Sequence, residues 1–298
     1  MMNYRLYLED PDDCTLIHQG KPNVRNGTLW LAAFRFVLYL AAALYLTLVM
    51  VAVFLSDRLI FQPQRSSYDH TPDLLKLTTA DGTQITAVYL PNSAATYTLL
   101  FSHGNAEDLG DDRPLFQQLR QAGFAVFGYD YHGYGTSEGT PSEKTIYEDV
   151  TAAYEYLTGT LGVPPERIIS FGRSVGSGAA IELAARKPVA GLIVQSGFTT
   201  AFRVLTRVPL VPFDRFRNID KITRVRCPVL LMHGRDDRVI PFQHGLALYE
   251  RANPPKMSLW IEGAGHNDFE LVAGDRYFQA LKEFSRSLDL VKRGVAIR

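Results

Sequence analysis

The sequence carries no excess charge of either sign and almost no cysteine. Its 31 basic and 31 acidic side chains give a formal net charge of zero, so nothing favours a nucleic-acid partner. The two cysteines, Cys14 and Cys227, are too few for a disulfide framework or a cysteine metal cluster. The chain also has no internal repeat and no low-complexity stretch. We therefore expect neither a metal nor another cofactor.

What remains is 298 residues of ordinary globular composition, 46% apolar and 21% charged. One segment departs from this pattern. Residues 36–55, FVLYLAAALYLTLVMVAVFL, run for 20 residues without a charge, which is about the length that crosses a bilayer as a helix. A buried core helix rarely stays apolar on every face for so long, and a cleaved signal peptide has a shorter leader and a shorter apolar run. We therefore predict a signal-anchor, one transmembrane helix.

The charges flanking this segment favour one orientation slightly. Lys21, Arg25 and Arg35 precede it, and Arg58 and Arg65 follow it. By the positive-inside rule we expect a single-pass protein whose main domain lies on the non-cytoplasmic side. The predicted division of the chain is a polar tail 1–28, an anchor 29–57, a connector 58–69 and a folded domain 70–298.

Within the folded domain, strand patterns alternate with helix patterns. A hairpin over 74–90, turning at Asp81 and Gly82, comes first. Apolar strand patterns follow at 96–104, 124–133, 167–172, 189–197, 227–234 and 257–263, and helices are predicted at 107–122, 175–186, 241–252 and 269–293. Another helix begins with Thr140 as its cap, Pro141 at its first position and Glu143 completing a capping box. Its apolar face is expected to comprise Ile146, Val150, Ala153, Tyr154 and Leu157.

This alternation predicts an α/β fold, with a mostly parallel central sheet and helices on both faces. Ligand sites in such sheets gather at the carboxyl ends of the strands. Gly172, Ser174 and Gly176 form a G-x-S-x-G pattern between an apolar strand and a helix. That context is typical of a nucleophile elbow, which needs glycines because strand and helix approach closely there.

A serine nucleophile needs a base and an orienting carboxylate, in the chain order serine, acid, histidine. His266 follows the last strand in a glycine-rich loop, whereas the histidines before Ser174 violate that order and His233 precedes the candidate acids. The strand 227–234 is followed by Asp236 and Asp237, and we favour Asp237. The predicted catalytic residues are therefore Ser174, Asp237 and His266.

The oxyanion of the reaction needs two donors. One is expected to be the backbone N–H of Val175, directly after the nucleophile. The other is expected from the loop after strand 96–104, as the backbone N–H of Asn105 or Ala106, with Gly104 letting the loop fold close to the site. His103 is expected to brace this loop rather than act as a base.

With these motifs in place, residues 70–293 resemble the alpha/beta-hydrolase superfamily. The resemblance rests on FSHGNAEDLG, DYHGYGTSEGTPSE, FGRSVGSGAA, HGRDDRVIPFQHG and GAGHND. Together with the apolar N-terminal segment, they are similar to the membrane-linked group of abhydrolase-domain proteins, some of which remove palmitate from proteins. Two features depart from that group. His132 stands where an arginine is usual, and only Cys14 occupies the region where the depalmitoylating members carry a cysteine cluster.

The segment 198–226, where many relatives insert a lid, is short and predicts an open pocket. It mixes apolar with basic residues, namely Leu205, Leu210, Val211, Phe213 and Phe216 with Arg203, Arg207, Arg215 and Lys221. That mixture fits an ordinary amphipathic helix pair, or alternatively a membrane-facing surface.

The predicted function is a membrane-anchored serine hydrolase that cleaves carboxylic ester or thioester bonds, with lipid or acylated substrates favoured by location. A serine peptidase or an acyltransferase could use the same three residues. A non-catalytic, membrane-bound interaction module is the alternative from a different class. The sequence leaves the role of Arg173 unexplained, beyond a possible contact with a carboxylate.

Overall fold

The computed structural model describes residues 24–69, 71–206 and 208–292, without the side chains of 24–27. Cys14, the predicted tail up to residue 23, Arg207 and the last predicted helical residue, 293, lie outside the described residues. The described chain divides into two units, 1–51 and 52–298. The predicted domain boundaries at 28, 57 and 69 remain predictions.

The N-terminal unit contains most of one long helix, α1 (Val24–Phe54). Within α1, Thr28–Phe54 is 27 residues long and apolar enough to cross a membrane. Length and composition are shared by membrane spans and secretory signals. The helix therefore fits the predicted anchor.

The second unit is built on one eight-stranded sheet in the order β1-β2-β4-β3-β5-β6-β7-β8. The strands are β1 Leu74–Thr78, β2 Gln84–Leu90, β3 Thr98–Ser102, β4 Ala125–Tyr129, β5 Ile168–Arg173, β6 Gly191–Gln195, β7 Val229–Gly234 and β8 Lys256–Ile261. The hairpin β1–β2 and the pair β2–β4 are antiparallel, and every other pair is parallel. The predicted, mostly parallel sheet is therefore confirmed.

Helices cover both faces of this sheet. They are α2 Ser56–Ile60, α3 Leu109–Gln121, α4 Glu143–Glu155, α5 Gly176–Arg186, α6 Ala201–Leu205, α7 Asn218–Lys221, α8 Gln243–Arg251, α9 Phe269–Ala273 and α10 Asp275–Lys292. Side chains alternate along a strand. Accordingly Leu99 and Phe101 of β3 pack with α3 and α10, while Leu100 packs with α4 and α5.

Two local predictions about helices are wrong. Helix α4 is capped by Ser142, not Thr140, because the Ser142 side chain accepts from the Thr145 N–H at 3.1 Å and Thr145 completes the capping box. The single helix predicted over 269–293 is divided at Gly274, whose φ of 54° ends α9 before α10 begins. The predicted apolar face of α4 and the residues after it, from Ile146 to Leu157, is buried as expected.

Among the described residues of the segment 198–226, the regular structure consists of the short helices α6 and α7 and one 3-10 turn, Ile222–Arg224. Val211 and Phe216 are buried, so they cannot belong to a surface facing a membrane. Several of its basic side chains have acidic or polar partners: Arg203 lies 4.0 Å from Asp214 and Lys221 lies 2.7 Å from Glu182. These contacts favour the ordinary amphipathic helix pair. Only a few exposed apolar side chains of the described segment could still form a membrane-facing surface.

Candidate active site

Ser174 occupies the turn between β5 and α5. Its φ of 53° is unusual for a residue other than glycine, and such strained backbone is held only where the surrounding structure enforces it. The Ser174 N–H donates to the Gln195 carbonyl at 2.9 Å. A Cβ at Gly172 would lie 2.4 Å from the Gly176 carbonyl oxygen, and one at Gly176 would lie 2.1 Å from that of Ser102. Close backbone approach therefore explains both glycines of the motif.

The structure brings His266 between Ser174 and Asp237. His266 Nε2 lies 3.0 Å from Ser174 Oγ, and His266 Nδ1 lies 2.7 Å from Asp237 Oδ2. An ionised carboxylate only accepts hydrogen bonds, so Nδ1 carries the proton in this pair. Nε2 is then free to accept the Ser174 hydroxyl proton. Asp237 follows β7 and His266 follows β8, at the carboxyl ends of neighbouring parallel strands.

Asp237 is held from several directions, and the alternative aspartate is not. Asp237 Oδ1 accepts from the N–H groups of Val239 at 2.9 Å and Ile240 at 2.8 Å. Burial alone would raise the pKa of Asp237, but hydrogen bonds from His233 and His266 lower it well below its usual range. The carboxylate therefore stays ionised at neutral pH. Asp236 is exposed and contributes no side-chain contact to the site.

His233 belongs to this group, although chain order argued against it as the base. It is fully buried, with Nε2 2.8 Å from the Ile240 carbonyl oxygen and 3.3 Å from Asp237 Oδ2. It therefore helps to hold the aspartate without reaching Ser174. Its position at the end of β7, four residues before Asp237, was the signal that could have identified it.

The predicted oxyanion loop, His103 to Ala106, lies between β3 and α3. Ala106 has left-handed backbone, with φ of 57°. Gly104 donates its N–H to Glu107 Oε2 at 2.8 Å, and a Cβ at Gly104 would lie 2.5 Å from the same oxygen. In the described part of the chain, the backbone N–H groups of Val175, Asn105 and Ala106 have no hydrogen-bond partner. These three N–H groups therefore remain the candidate oxyanion donors.

His103 braces this loop. Its Nδ1 lies 2.7 Å from the Gly104 carbonyl oxygen, and its own carbonyl accepts from the Tyr131 hydroxyl at 2.7 Å. Because a carbonyl only accepts, Nδ1 carries a proton. Burial lowers the pKa of His103 to about 4, so its ring is neutral at neutral pH. His132, the departure from the usual arginine, has a similar bracing position, with Nδ1 2.5 Å from Asp149.

Arg173 has a definite position in the structure. Its guanidinium lies 2.5 Å from both Glu107 and Asp112 and 3.3 Å from Glu270. Glu107 is the residue that holds Gly104 of the oxyanion loop, and Glu270 opens the helix after the His266 loop. Buried beside three carboxylates, the Arg173 guanidinium keeps its charge, and its pKa is raised further by them. Arg173 therefore links the two loops that face Ser174.

No group of three or more metal-ligating side chains occurs among the described residues.

A serine at a strand–turn–helix elbow, facing a histidine and an aspartate from later strands of this sheet, defines the fold and site of an alpha/beta hydrolase of the serine type.

Comparisons with known proteins agree with this class. The family model described as "Serine aminopeptidase, S33" matches residues 93–212. Alpha/beta hydrolase domain-containing protein 17B of Xenopus tropicalis is 45% identical over 212 residues, covering 69% of this chain and 72% of that protein. The Homo sapiens protein 17B is 44% identical with the same coverage. The chain thus belongs to the family of alpha/beta hydrolase domain-containing proteins that includes protein 17B, and it is a serine-type hydrolase.

Solved structures share the fold at low sequence identity. An esterase of Pyrococcus furiosus superposes with a TM-score of 0.65 at 20% identity, covering 77% of this chain and 97% of its own. An esterase of Rhodococcus superposes with a TM-score of 0.57 at 21% identity, covering 72% and 99%. These similarities show that the part of the chain that contains the candidate site has the same fold as these esterases.

Proposed function

We propose that the protein is a membrane-anchored serine hydrolase that cleaves carboxylic ester or thioester bonds through an acyl-enzyme. The observation that carries the proposal is the pair of hydrogen-bond distances at His266, 3.0 Å to Ser174 Oγ and 2.7 Å to Asp237 Oδ2. A nucleophile, a base within reach of it and a carboxylate that orients the base are the three parts that acyl transfer needs.

In the first step, Ser174 Oγ forms a bond to the carbonyl carbon of the substrate while its proton passes to His266 Nε2. The carbonyl oxygen takes up the displaced electron pair. When the tetrahedral intermediate collapses, the bond to the leaving oxygen or sulfur breaks, and that atom receives the proton from Nε2. Asp237 remains ionised and stabilises the imidazolium formed meanwhile.

In the second step, water replaces the leaving group. His266 Nε2 takes a proton from the water, whose oxygen attacks the acyl carbon, and returns the proton to Ser174 Oγ as the acid departs. The backbone N–H of Val175, together with that of Asn105 or Ala106, stabilises the negative oxygen in both steps. Each such donor contributes about 3–4 kcal/mol to the transition state.

The apolar helix supports the proposal that the substrate is found at a membrane. A catalytic domain tethered by a 27-residue helix that is apolar enough to cross a membrane meets lipids and acylated proteins at high local concentration. Esters or thioesters of fatty acids are therefore the favoured substrates. The flanking charges support a single-pass arrangement with the catalytic domain on the non-cytoplasmic side. In sealed vesicles of known orientation, proteolysis of the catalytic domain from the non-cytoplasmic side alone is expected, and proteolysis from the opposite side would overturn that topology.

A serine peptidase is the second candidate, because the matching family model is described as a serine aminopeptidase. An aminopeptidase needs a carboxylate to bind the free amine of its substrate. The acidic groups Glu107, Asp112 and Glu270, near the two loops facing Ser174, are already paired with Arg173. This arrangement favours the ester over the peptide. The same acyl-enzyme could pass its acyl group to an alcohol, which would make the enzyme an acyltransferase.

The test uses the purified full chain in detergent micelles. We expect it to hydrolyse a p-nitrophenyl ester and an acyl-thioester, and to cleave an aminoacyl-p-nitroanilide far more slowly. Ser174→Ala should abolish all three activities. Faster cleavage of the anilide than of the ester would favour the peptidase. Equal activity of wild type and Ser174→Ala would overturn Ser174 as the nucleophile. No activity of wild type on any substrate would overturn the proposal and favour a non-catalytic interaction module.

A further inference from the structure

The chain that follows the apolar helix does not behave as a simple linker. Residues 55–62, here called the junction segment, contain α2 and end at Gln62. Within this segment Ser56 and Phe61 are buried, at 2% and 3% exposure. Arg215 Nε donates to Ser56 Oγ at 3.1 Å. The segment is therefore packed into the catalytic unit.

The junction segment is hydrogen-bonded to the predicted oxyanion loop. Asn105 Nδ2 donates to the Ile60 carbonyl at 2.6 Å, and Asn105 Oδ1 accepts from the Gln62 N–H at 3.0 Å. Tyr134 Oη donates to the same Oδ1 at 2.5 Å. The Asn105 side-chain amide thus hydrogen-bonds the backbone of the junction segment as a neighbouring strand would, with Nδ2 as the donor and Oδ1 as the acceptor.

This contact bears on a strained part of the loop. Ala106, the residue after Asn105, has φ of 57°, a conformation that non-glycine residues keep only where surrounding contacts fix it. The backbone N–H groups of Asn105 and Ala106 are the candidate oxyanion donors. The hydrogen bonds of the Asn105 side chain hold this residue in place, and they therefore also fix the direction of those N–H groups.

A second contact leads from the junction segment to the nucleophile. The rings of Phe61 and Phe216 meet edge to face with centroids 5.9 Å apart. The Phe216 ring in turn lies over the first turn of α5, so close that a Cβ at Gly178 would be 2.4 Å from it. Helix α5 begins two residues after Ser174. The junction segment is thereby packed, through one ring, against the helix that supports the elbow.

We propose that the junction segment is a working part of the active site, with Asn105 and Phe61 as positioning residues that aim the oxyanion donors and seat the nucleophile helix. This inference rests on the proposed function and deepens it. It means that the chain between the apolar helix and the catalytic domain sets the rate of the reaction, even with a soluble substrate that needs no membrane.

The test compares variants of the full chain in detergent micelles, with p-nitrophenyl butyrate as substrate. Asn105→Ala removes all three side-chain hydrogen bonds and is expected to lower kcat by about 100-fold with little change in KM, because misplaced groups cost transition-state binding. Tyr134→Phe removes one of these three bonds, together with the 3.2 Å hydrogen bond that the Gln62 N–H donates to the hydroxyl, but almost no volume. It should therefore fold normally and lower kcat by about 3- to 10-fold. Phe61→Leu should restore most of the kcat lost in Phe61→Ala.

Gln64→Ala is the matched control, because Gln64 is exposed just beyond the segment and its side chain donates a hydrogen bond to the Gln62 carbonyl without reaching Asn105. Its kcat should equal that of wild type. A merely structural role would lower the melting temperature of the variants and leave kcat at 25 °C unchanged. That result, or a kcat for Tyr134→Phe and Asn105→Ala equal to that of Gln64→Ala, would overturn the inference while leaving the hydrolase intact. If wild type fails to hydrolyse the ester, or if Ser174→Ala is as active as wild type, both the inference and the proposed function would be overturned.

Discussion

The acid–base half of the site, Asp237 and His266, is built from loops that follow the neighbouring strands β7 and β8 and meet directly through one hydrogen bond. The predicted oxyanion half comprises the Val175 N–H at the elbow and the loop after β3, and that loop is held by residues distant in the chain. Asn105 is bonded to the junction segment, and Glu107 is bonded to Arg173. The position of the acid–base half therefore follows from the order of the strands in the sheet, whereas the position of the oxyanion loop depends on contacts between segments distant in the chain.

The largest effect is expected in the acid–base half. His266→Ala should lower kcat by about 10,000- to 1,000,000-fold, because the base and the nucleophile act as a unit. For the same reason, the double variant with Ser174→Ala should be no worse than either single variant. Steady-state kinetics on a soluble ester measures both. Additive losses in the double variant would mean that the two residues act independently.

Asp237→Asn should lower kcat by about 10,000-fold, since an amide favours the wrong tautomer of His266. It also gives a pH signature. The pKa of Asp237 is lowered in the folded protein, so its charge contributes stability above the unfolded value of about 3.9 and this contribution is lost as pH falls further. The stability difference between wild type and Asp237→Asn should thus shrink below about pH 4. A difference in unfolding free energy that grows on acidification would contradict the assignment.

Arg173 is the place where the two halves meet, so its removal should weaken both. Arg173→Met leaves three carboxylates facing one another and is expected to destabilise the fold by about 3–5 kcal/mol. Arg173→Lys should recover only part of this loss, because one ammonium cannot serve three partners as a guanidinium does.

The control for Arg173 is Arg186→Met on the outer face of α5. Arg186 is 66% exposed and lies 3.3 Å from Glu182 in an i,i+4 pair, so the variant should change stability by about 1 kcal/mol or less. Urea unfolding followed by fluorescence measures both variants. Equal losses at the two positions would show that the Arg173 cluster is not a linking element.

The smallest effect is expected outside both halves. Leu205 is 91% exposed at the end of α6. Leu205→Ser should change stability by about 0.5 kcal/mol or less and leave kcat/KM for a soluble ester unchanged. A loss of soluble-ester activity comparable to that of Arg173→Met would extend the site into the segment 198–226.

The difference between the two halves also explains what sequence could predict. Ser174, Asp237 and His266 could be chosen in advance because each ends or follows a strand pattern and because their order along the chain is fixed by the fold. The sheet followed from apolar runs alternating with helix patterns. The choice of Asp237 over Asp236 matches the contacts, since only Asp237 meets His266.

Other features depend on contacts that no local pattern carries. The roles of Ile60, Gln62 and Glu107 at the oxyanion loop arise from segments brought together only in the folded chain. Arg173 could be singled out from the motif, but its three carboxylates come from separate elements. Local errors have a different origin: Ser142 and Thr140 are both good caps, and side-chain geometry, rather than propensity, decides between them.

Ser174 is the proposed nucleophile, and both halves of the site are expected to act on it. The most direct measurement is labelling of the full chain with a fluorophosphonate, followed by proteolysis and mass spectrometry of the modified peptide. One adduct is expected, on Ser174, formed rapidly by wild type, far more slowly by His266→Ala and not at all by Ser174→Ala. An adduct on another serine, or labelling of Ser174 at an unchanged rate without His266, would contradict it.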